Sequence, residues 1–175
     1  MLRSAPLLSI VLALSIETLH AQRPTDLVNK TFVADVTRVA DGDSVEVLIP
    51  PARKVRIRLH GVDTPEAKEP FSNQARTYTR VLIFGRRVTV VGKDVDSYDR
   101  LVARITVDNV DASESIIAAG LGCTFRQYVT DPALESAWAS ARTSQRGFWA
   151  AGAAKPGCVA REAKRTRAAP QRIGR

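Results

Sequence analysis

The chain has few of the residues that build small cross-linked or membrane-embedded proteins. Only two of its 175 residues are cysteine, which is too few for a disulfide-scaffold mini-protein or a four-thiolate zinc site. Beyond one apolar run near the N-terminus, no hydrophobic stretch reaches transmembrane length, which excludes a polytopic membrane protein. Hydrophobic residues make up 45% and charged residues 25% of the chain, which is typical of a globular protein.

Acidic residues are outnumbered by basic ones. Lys and Arg number 26 against 18 Asp and Glu, so the formal charge is +8 and the isoelectric point is about 10.1. This charge indicates a polyanionic partner, either nucleic acid or an anionic surface. The length suits one domain with a sizeable core.

Residues 1–21 have the layout of a secretory signal peptide. Arg3 gives a positive start, residues 7–16 are apolar, and Ala21 is a small residue before a polar change of character. The alternatives are a core helix or a retained membrane anchor. We expect a secreted or periplasmic protein.

Export would place Cys123 and Cys158 in an oxidising compartment. A pair of cysteines with no third thiol then favours one disulfide, and two buried free thiols are the alternative. A metal site built on two lone cysteines without nearby histidines is not expected.

The mature chain is predicted to be strand-rich first and helical later. Apolar residues alternate with polar ones in five segments, residues 31–39, 44–49, 54–60, 87–93 and 101–107. Helices are predicted at 72–84, at 111–120 and from Asp131 toward Trp149, each with capping residues. The fold class is therefore α+β and mainly β, a five-stranded OB-type β-barrel with about three helices.

The C-terminal residues 161–175 contain six Arg or Lys and one Glu, without an apolar period. We expect a globular domain over 22–160 followed by a basic disordered tail. The tail either strengthens nonspecific binding of nucleic acid or has no dedicated role.

Four short segments carry charged residues that could take part in binding or catalysis. Each can also be interpreted as an ordinary structural element. Residues 41–44 (DGDS) are typical of a hairpin turn, but Asp43 could hold a hard cation through oxygen. Residues 54–60 alternate basic and apolar side chains, which indicates a solvated sheet face or a phosphate-binding floor around Arg58. His60 is interpreted as structural.

Residues 63–66 (DTPE) either form a proline turn or bring two carboxylates together. One carboxylate could then hold a cation and the other could deprotonate water. Residues 96–100 precede a strand and either form a simple turn or present Arg100 to a charge that develops during phosphoryl transfer.

The order and spacing of these motifs resemble the staphylococcal nuclease (thermonuclease) family. The matching pieces are VADGDSVEV at 39–47, VRIRLHGVDTPE at 55–66, SYDRLVARI at 97–105 and SIIAAGLG at 115–122. The resemblance implies a five-stranded OB barrel with three helices and a monomeric, Ca²⁺-dependent enzyme. Such an enzyme hydrolyses DNA and RNA to 3′-phosphate and 5′-hydroxyl products.

The resemblance also assigns roles residue by residue. By this match, the metal ligands are Asp43, Asp63 and the Thr64 carbonyl; the catalytic residues are Arg58, Glu66 and Arg100; and the substrate-binding residues are Tyr98 and Tyr128. Two departures are Ser44 in place of threonine and Asp99 in place of glycine, and the second adds a negative charge beside Arg100.

Two other functions compete with the nuclease. A catalytically inactive OB-fold module could bind nucleic acid through a basic groove and aromatic stacking. An envelope protein could use its basic surface on anionic lipid or glycan. The presence of Arg58, Glu66 and Arg100 together favours the nuclease.

Overall fold

The computed structural model describes residues 24–125 and 131–168, with the side chains of 165–168 left out. The predicted signal peptide at 1–21 and the predicted substrate-binding residue Tyr128 lie outside the described residues. A short 3₁₀ turn, Pro24–Leu27, precedes the first strand.

The described residues contain eight strands and four α-helices. The strands are β1 (Thr31–Val39), β2 (Ser44–Ile49), β3 (Arg53–Leu59), β4 (Val62–Asp63), β5 (Arg87–Val95), β6 (Leu101–Val107), β7 (Val110–Asp111) and β8 (Cys123–Thr124). The helices are α1 (Ser72–Ile83), α2 (Ala112–Ala118), α3 (Pro132–Thr143) and α4 (Gly157–Ala168).

Five strands close into a barrel. Antiparallel pairing gives the order β3-β2-β1-β5-β6, and a parallel pairing of β3 with β6 joins the two ends, with Ile57 opposite Leu101 and Leu59 opposite Ala103. This confirms the predicted OB-type barrel. Strands β4 and β8 form a separate two-stranded sheet, in which Asp63 lies opposite Cys123.

Alternating side chains fill the barrel. In β6 every second residue is buried, namely Leu101, Ala103, Ile105 and Val107. Each large side chain removed from water in this way contributes roughly 1.5–3 kcal/mol. The alternation turns the intervening residues of each strand away from the core.

Capping residues place the first three helices close to their predicted positions. The Asp111 carboxylate accepts a hydrogen bond from the Glu114 N–H at the start of α2, and the Asp131 carboxylate accepts one from the Ala133 N–H at the start of α3. Helix α1 ends before Gly85, which has a φ of +73°. Within residues 24–125 and 131–168, the helices are too short or too polar to cross a bilayer.

The C-terminal segment differs from the prediction of a disordered tail that begins at residue 161. Helix α4 continues through Ala168, and the predicted disulfide is present between Cys123 and Cys158. Both cysteines are buried against Phe148. This small second core holds the start of α4 on the domain. The attachment was not predicted, because the C-terminal sequence has no apolar period.

Candidate active site

The turn between β1 and β2 places Asp43 in the protein interior. Its side chain is only 6% exposed. One carboxylate oxygen accepts hydrogen bonds from the Ser44 hydroxyl at 3.1 Å and the Arg58 guanidinium at 3.0 Å. The other accepts one from the Thr64 N–H at 3.0 Å. The turn is therefore part of a buried polar network as well as a hairpin connection.

Gly42 is required by packing in this turn. A Cβ at this position would lie 2.7 Å from the Thr64 hydroxyl and 2.9 Å from the Ala75 methyl. The Thr79 hydroxyl of α1 also donates a hydrogen bond to the Gly42 carbonyl at 2.7 Å. The Asp-Gly-Asp motif thus fits the turn against both the Thr64 segment and α1.

Arg58 joins the two buried carboxylates. It lies opposite Ser44 in the β2–β3 pairing, so its guanidinium reaches Asp43 at 3.0 Å and Asp63 at 3.6 Å. Asp63 is 2% exposed. A single arginine therefore sits between two carboxylates that the resemblance assigns to metal binding.

Glu66 faces solvent beside this cluster. Its side chain is 67% exposed, and its backbone N–H donates to the Glu69 carboxylate at 2.9 Å. The position leaves the Glu66 carboxylate accessible to water and to a substrate phosphate.

Arg100 reaches the site from the start of β6, because β6 lies beside β3 in the barrel. Its guanidinium donates to Asp96 at 2.7 Å and to the Ser44 hydroxyl at 2.9 Å. Burial raises the pKa of Asp96, but hydrogen bonds from the Arg100 backbone and side chain outweigh it and hold the pKa below its usual value. The ionised Asp96 thus orients Arg100, a role that the sequence analysis did not assign.

The ring of Tyr98 is exposed and lies under Arg100, with the guanidinium 5.4 Å from the ring centroid. Asp99 follows with a φ of +57°, a left-handed conformation that Asp tolerates better than most residues. The turn therefore survives the replacement of the usual glycine.

Replacing Asp99 with glycine or asparagine is expected to increase the single-turnover cleavage rate about two- to threefold. Both changes remove a negative charge next to Arg100, and a change of this kind near the surface is worth roughly 0.5 kcal/mol. Asparagine also tolerates the left-handed backbone, so it isolates the charge effect from the backbone effect. An unchanged rate in Asp99→Asn would contradict this prediction.

Two cavities flank the predicted catalytic residues. One of about 720 Å³ and one of about 340 Å³ share Arg58, Glu66, Tyr98 and Arg100 in their walls. The structure thus brings together the predicted catalytic residues and Tyr98. Asp63 lines the larger cavity, and Asp43 and Thr64 line the smaller.

His60 lies in the wall of the larger cavity. Burial and the charges of Lys93 and Arg104 lower its pKa, so the imidazole is neutral at pH 7. Its Nδ1 is buried without a hydrogen-bond partner among the described residues.

Sequence reasoning missed two residues of the site, Arg161 and Glu69, which lie beside the Asp63–Thr64 segment. Arg161 of α4 donates to Asp63 at 3.1 Å, to Glu69 at 3.1 Å and to the Thr64 carbonyl at 3.2 Å. Burial lowers the pKa of Arg161, but the hydrogen bond and charge of Asp63 and the charge of Glu69 raise it overall. The two cysteines were the available sequence signal, because a disulfide between them brings α4 toward β4.

The donor chemistry at Asp43, Asp63 and Thr64 fits a hard divalent cation. These residues offer carboxylate and carbonyl oxygens, the ligands that Ca²⁺ prefers. The pKa of Asp43 is raised to about 6, mainly by burial; the charge of Arg58 opposes the rise, and the neighbouring charges of Asp41 and Asp63 add to it. A cation here would favour the ionised carboxylate. Within the described residues, no group of three or more His, Cys, Asp or Glu side chains is placed to hold a metal ion.

Comparison with known proteins places the chain among nucleases. An Escherichia coli protein described as an uncharacterized endonuclease is 35% identical over 116 residues, which cover 65% of this chain and 74% of the relative. The rice protein described as probable staphylococcal-like nuclease CAN2 is 36% identical over 101 residues, 58% of this chain but 27% of that longer protein. An uncharacterized endonuclease of Haemophilus influenzae is 24% identical over 115 residues, 66% of this chain and 65% of the relative.

A family model described as staphylococcal nuclease homologue matches residues 56–151, more than half of the chain. The matched region includes Arg58, Glu66 and Arg100, and it covers β5, β6 and most of β3 among the barrel strands. The chain therefore belongs to the staphylococcal nuclease homologue family.

Proposed function

We propose that the protein is an exported, Ca²⁺-dependent nuclease that hydrolyses DNA and RNA to 3′-phosphate and 5′-hydroxyl products. The observation that carries the proposal is the convergence of Arg58, Glu66 and Arg100 on shared cavities beside two buried carboxylates. Family membership and the relatives named as endonucleases support the same reaction class.

The side chains divide the reaction between them. A phosphodiester is an anion that gains charge as water attacks, so Arg58 and Arg100 are suited to bind it and stabilise the transition state. Glu66 is exposed beside them and can accept the proton of the attacking water. Asp43, Asp63 and the Thr64 carbonyl would hold Ca²⁺, which when bound supplies positive charge to a phosphate oxygen.

Action on both DNA and RNA is supported by the kind of groups at the site. Arg58 and Arg100 recognise phosphate, which the two nucleic acids share. The exposed ring of Tyr98 beside Arg100 offers a stacking surface that accepts any base. Export is supported by the layout of residues 1–21 and by the Cys123–Cys158 disulfide. The family resemblance is the support for proposing a monomer.

The proposal is tested by incubating the purified mature protein with single-stranded DNA and with RNA, in Ca²⁺ and then in chelator. We expect cleavage of both in Ca²⁺, loss of cleavage in chelator, and 5′-hydroxyl ends on the products. Tight binding without cleavage in either condition would instead support the inactive binding module. Cleavage that persists in chelator would refute the requirement for Ca²⁺.

Removing residues 169–175 is expected to flatten the salt dependence of nucleic-acid binding while leaving α4 in place. The deletion removes Arg172 and Arg175. Each arginine that neutralises a phosphate of a single strand adds about 0.7 to the steepness of log affinity against log salt, so removing two should flatten it by about 1.4. A full-length variant with glutamine at both positions is the matched control. An unchanged slope in both proteins would show that these arginines do not bind nucleic acid.

A further inference from the structure

A third arginine lies among the oxygen atoms proposed to bind calcium. The Nε of Arg161 is 3.1 Å from the Asp63 carboxylate, and a terminal nitrogen is 3.2 Å from the Thr64 carbonyl. Asp63 and Thr64 supply two of the three proposed metal ligands. The remaining terminal nitrogen is 3.1 Å from Glu69, so all three nitrogens of the guanidinium donate to oxygen.

The fold holds Arg161 at this position through the disulfide. Cys123 pairs with Asp63 across the β4–β8 sheet, and its bond to Cys158 fixes the first turn of α4 beside β4. Cys158 and Arg161 are three residues apart on a helix, so both side chains lie on the same face. The cross-link therefore directs the Arg161 guanidinium toward Asp63.

Close packing at the start of α4 adds a second constraint. The backbone at Gly157 approaches the Glu69 carboxylate so closely that a Cβ would overlap it. Glu69 in turn accepts hydrogen bonds from the Glu66 N–H and from Arg161. Arg161 is thus held by Glu69 at 3.1 Å, and lies 3.9 Å from Glu66, in addition to its contacts with the Asp63–Thr64 segment.

We propose that Arg161 is a resident cation that competes with Ca²⁺ for Asp63 and the Thr64 carbonyl and so sets the metal affinity of the site. The inference rests on the proposed calcium site. The guanidinium occupies a lone pair on each of these oxygens and places a positive charge beside them. Bound Ca²⁺ must therefore either displace Arg161 from Asp63 or bind against its repulsion.

The competition has a measurable thermodynamic consequence. When a site is open in only a fraction of molecules, its apparent affinity falls by that fraction. Hydrogen bonds to charged groups are strong enough for Arg161 to stay on Asp63 and the Thr64 carbonyl in most molecules, so the fraction in which Ca²⁺ binds unopposed is small. Without Arg161, Asp63 remains buried and loses a neighbouring positive charge, so the metal-free protein is destabilised and Ca²⁺ stabilises it more.

The test measures calcium binding without nucleic acid by titration calorimetry, for the wild-type protein, Arg161→Gln and Lys164→Gln. Lys164 is exposed on the same helix, so its change removes the same formal charge away from the site. We expect Arg161→Gln to bind Ca²⁺ at least about tenfold more tightly and Lys164→Gln to match the wild type. The rise in melting temperature on adding Ca²⁺ should also be largest for Arg161→Gln.

Equal or weaker calcium binding by Arg161→Gln would overturn the inference, as would an equal gain in Lys164→Gln. If Arg161→Gln fails to fold, Arg161→Met answers the same question, because it keeps an apolar stem and removes the charge. Its calcium affinity should also rise at least about tenfold, and an affinity equal to the wild type would refute the competition.

The proposed function fails separately from this inference. If the wild-type protein cleaves DNA in Ca²⁺ but binds Ca²⁺ with the same affinity as Arg161→Gln, the proposed nuclease function stands and the proposed competition by Arg161 is refuted. No calcium binding by either protein would overturn both the competition and the calcium site.

Discussion

Replacing Glu66 with glutamine is expected to lower the single-turnover rate of nucleic-acid cleavage by about 10²–10⁴-fold, the usual contribution of a positioned general base. Glutamine keeps the shape of the side chain but cannot accept the proton of the attacking water at neutral pH. Because the Glu66 side chain is 67% exposed, the melting temperature should change little. Rapid-quench measurements at saturating enzyme isolate the chemical step from binding.

The matched control for this prediction is Glu114→Gln, which makes the same change at an exposed residue of α2. Its cleavage rate should equal that of the wild-type protein. Nucleic-acid affinity should stay the same or rise in Glu66→Gln, because a negative charge near phosphate is removed. A cleavage rate within a few-fold of the wild type would show that Glu66 is only a turn residue.

Reduction of the Cys123–Cys158 disulfide is expected to lower the free energy of unfolding by about 3–4 kcal/mol on the chain-entropy model. The bond joins residues 35 apart in the sequence, so reduction frees a long segment of the unfolded chain. For a domain of this size the melting temperature should fall by about 10 °C. Thermal unfolding with and without reductant measures the shift.

A Cys123→Ala/Cys158→Ala variant is the control for reductant. Its melting temperature should be as low as that of the reduced wild-type protein and should not respond to reductant. A shift of less than about 2 °C on complete reduction, verified by thiol titration, would contradict a stabilising role for the bond.

The barrel could be predicted because its strands alternate apolar and polar residues, and capping residues also mark the ends of α2 and α3. The local pattern did not reveal the parallel pairing of β3 with β6, which depends on residues far apart in the sequence. The element pattern and the family resemblance both predicted a closed OB-type barrel, and the structure agrees with it.

The site was predicted where a motif combines several functional residues, as in the segments around Asp43, Arg58 and Glu66. Arg161 could not be predicted in the same way, because its role depends on a disulfide that folds a distant helix onto β4. Basic residues without an apolar period are typical of a solvated tail. In this chain, a buried cysteine attaches the segment to the domain through its disulfide, although the segment has no periodic apolar face.

The turn before β6 shows another contact that could not be predicted from the sequence. The replacement of glycine by Asp99 could be noticed in the sequence, and its left-handed backbone agrees with the tolerance of Asp for that region. The interaction of Asp96 with Arg100 was not predicted, because both residues were interpreted only as parts of the turn and of the phosphate site.

The long-range contacts of the site also affect when it forms during folding. The hydrogen bond from Arg100 to Ser44 joins residues 56 apart, and that from Arg161 to Asp63 joins residues 98 apart. Such contacts form late, because the chain loses the entropy of closing large loops before they stabilise it. The isolated β2–β3 hairpin can present Arg58 but has no Arg100 beside it. Recovery of activity during refolding therefore reports closure of β3 against β6, and a chain still being synthesised has no complete site until most of its length has emerged.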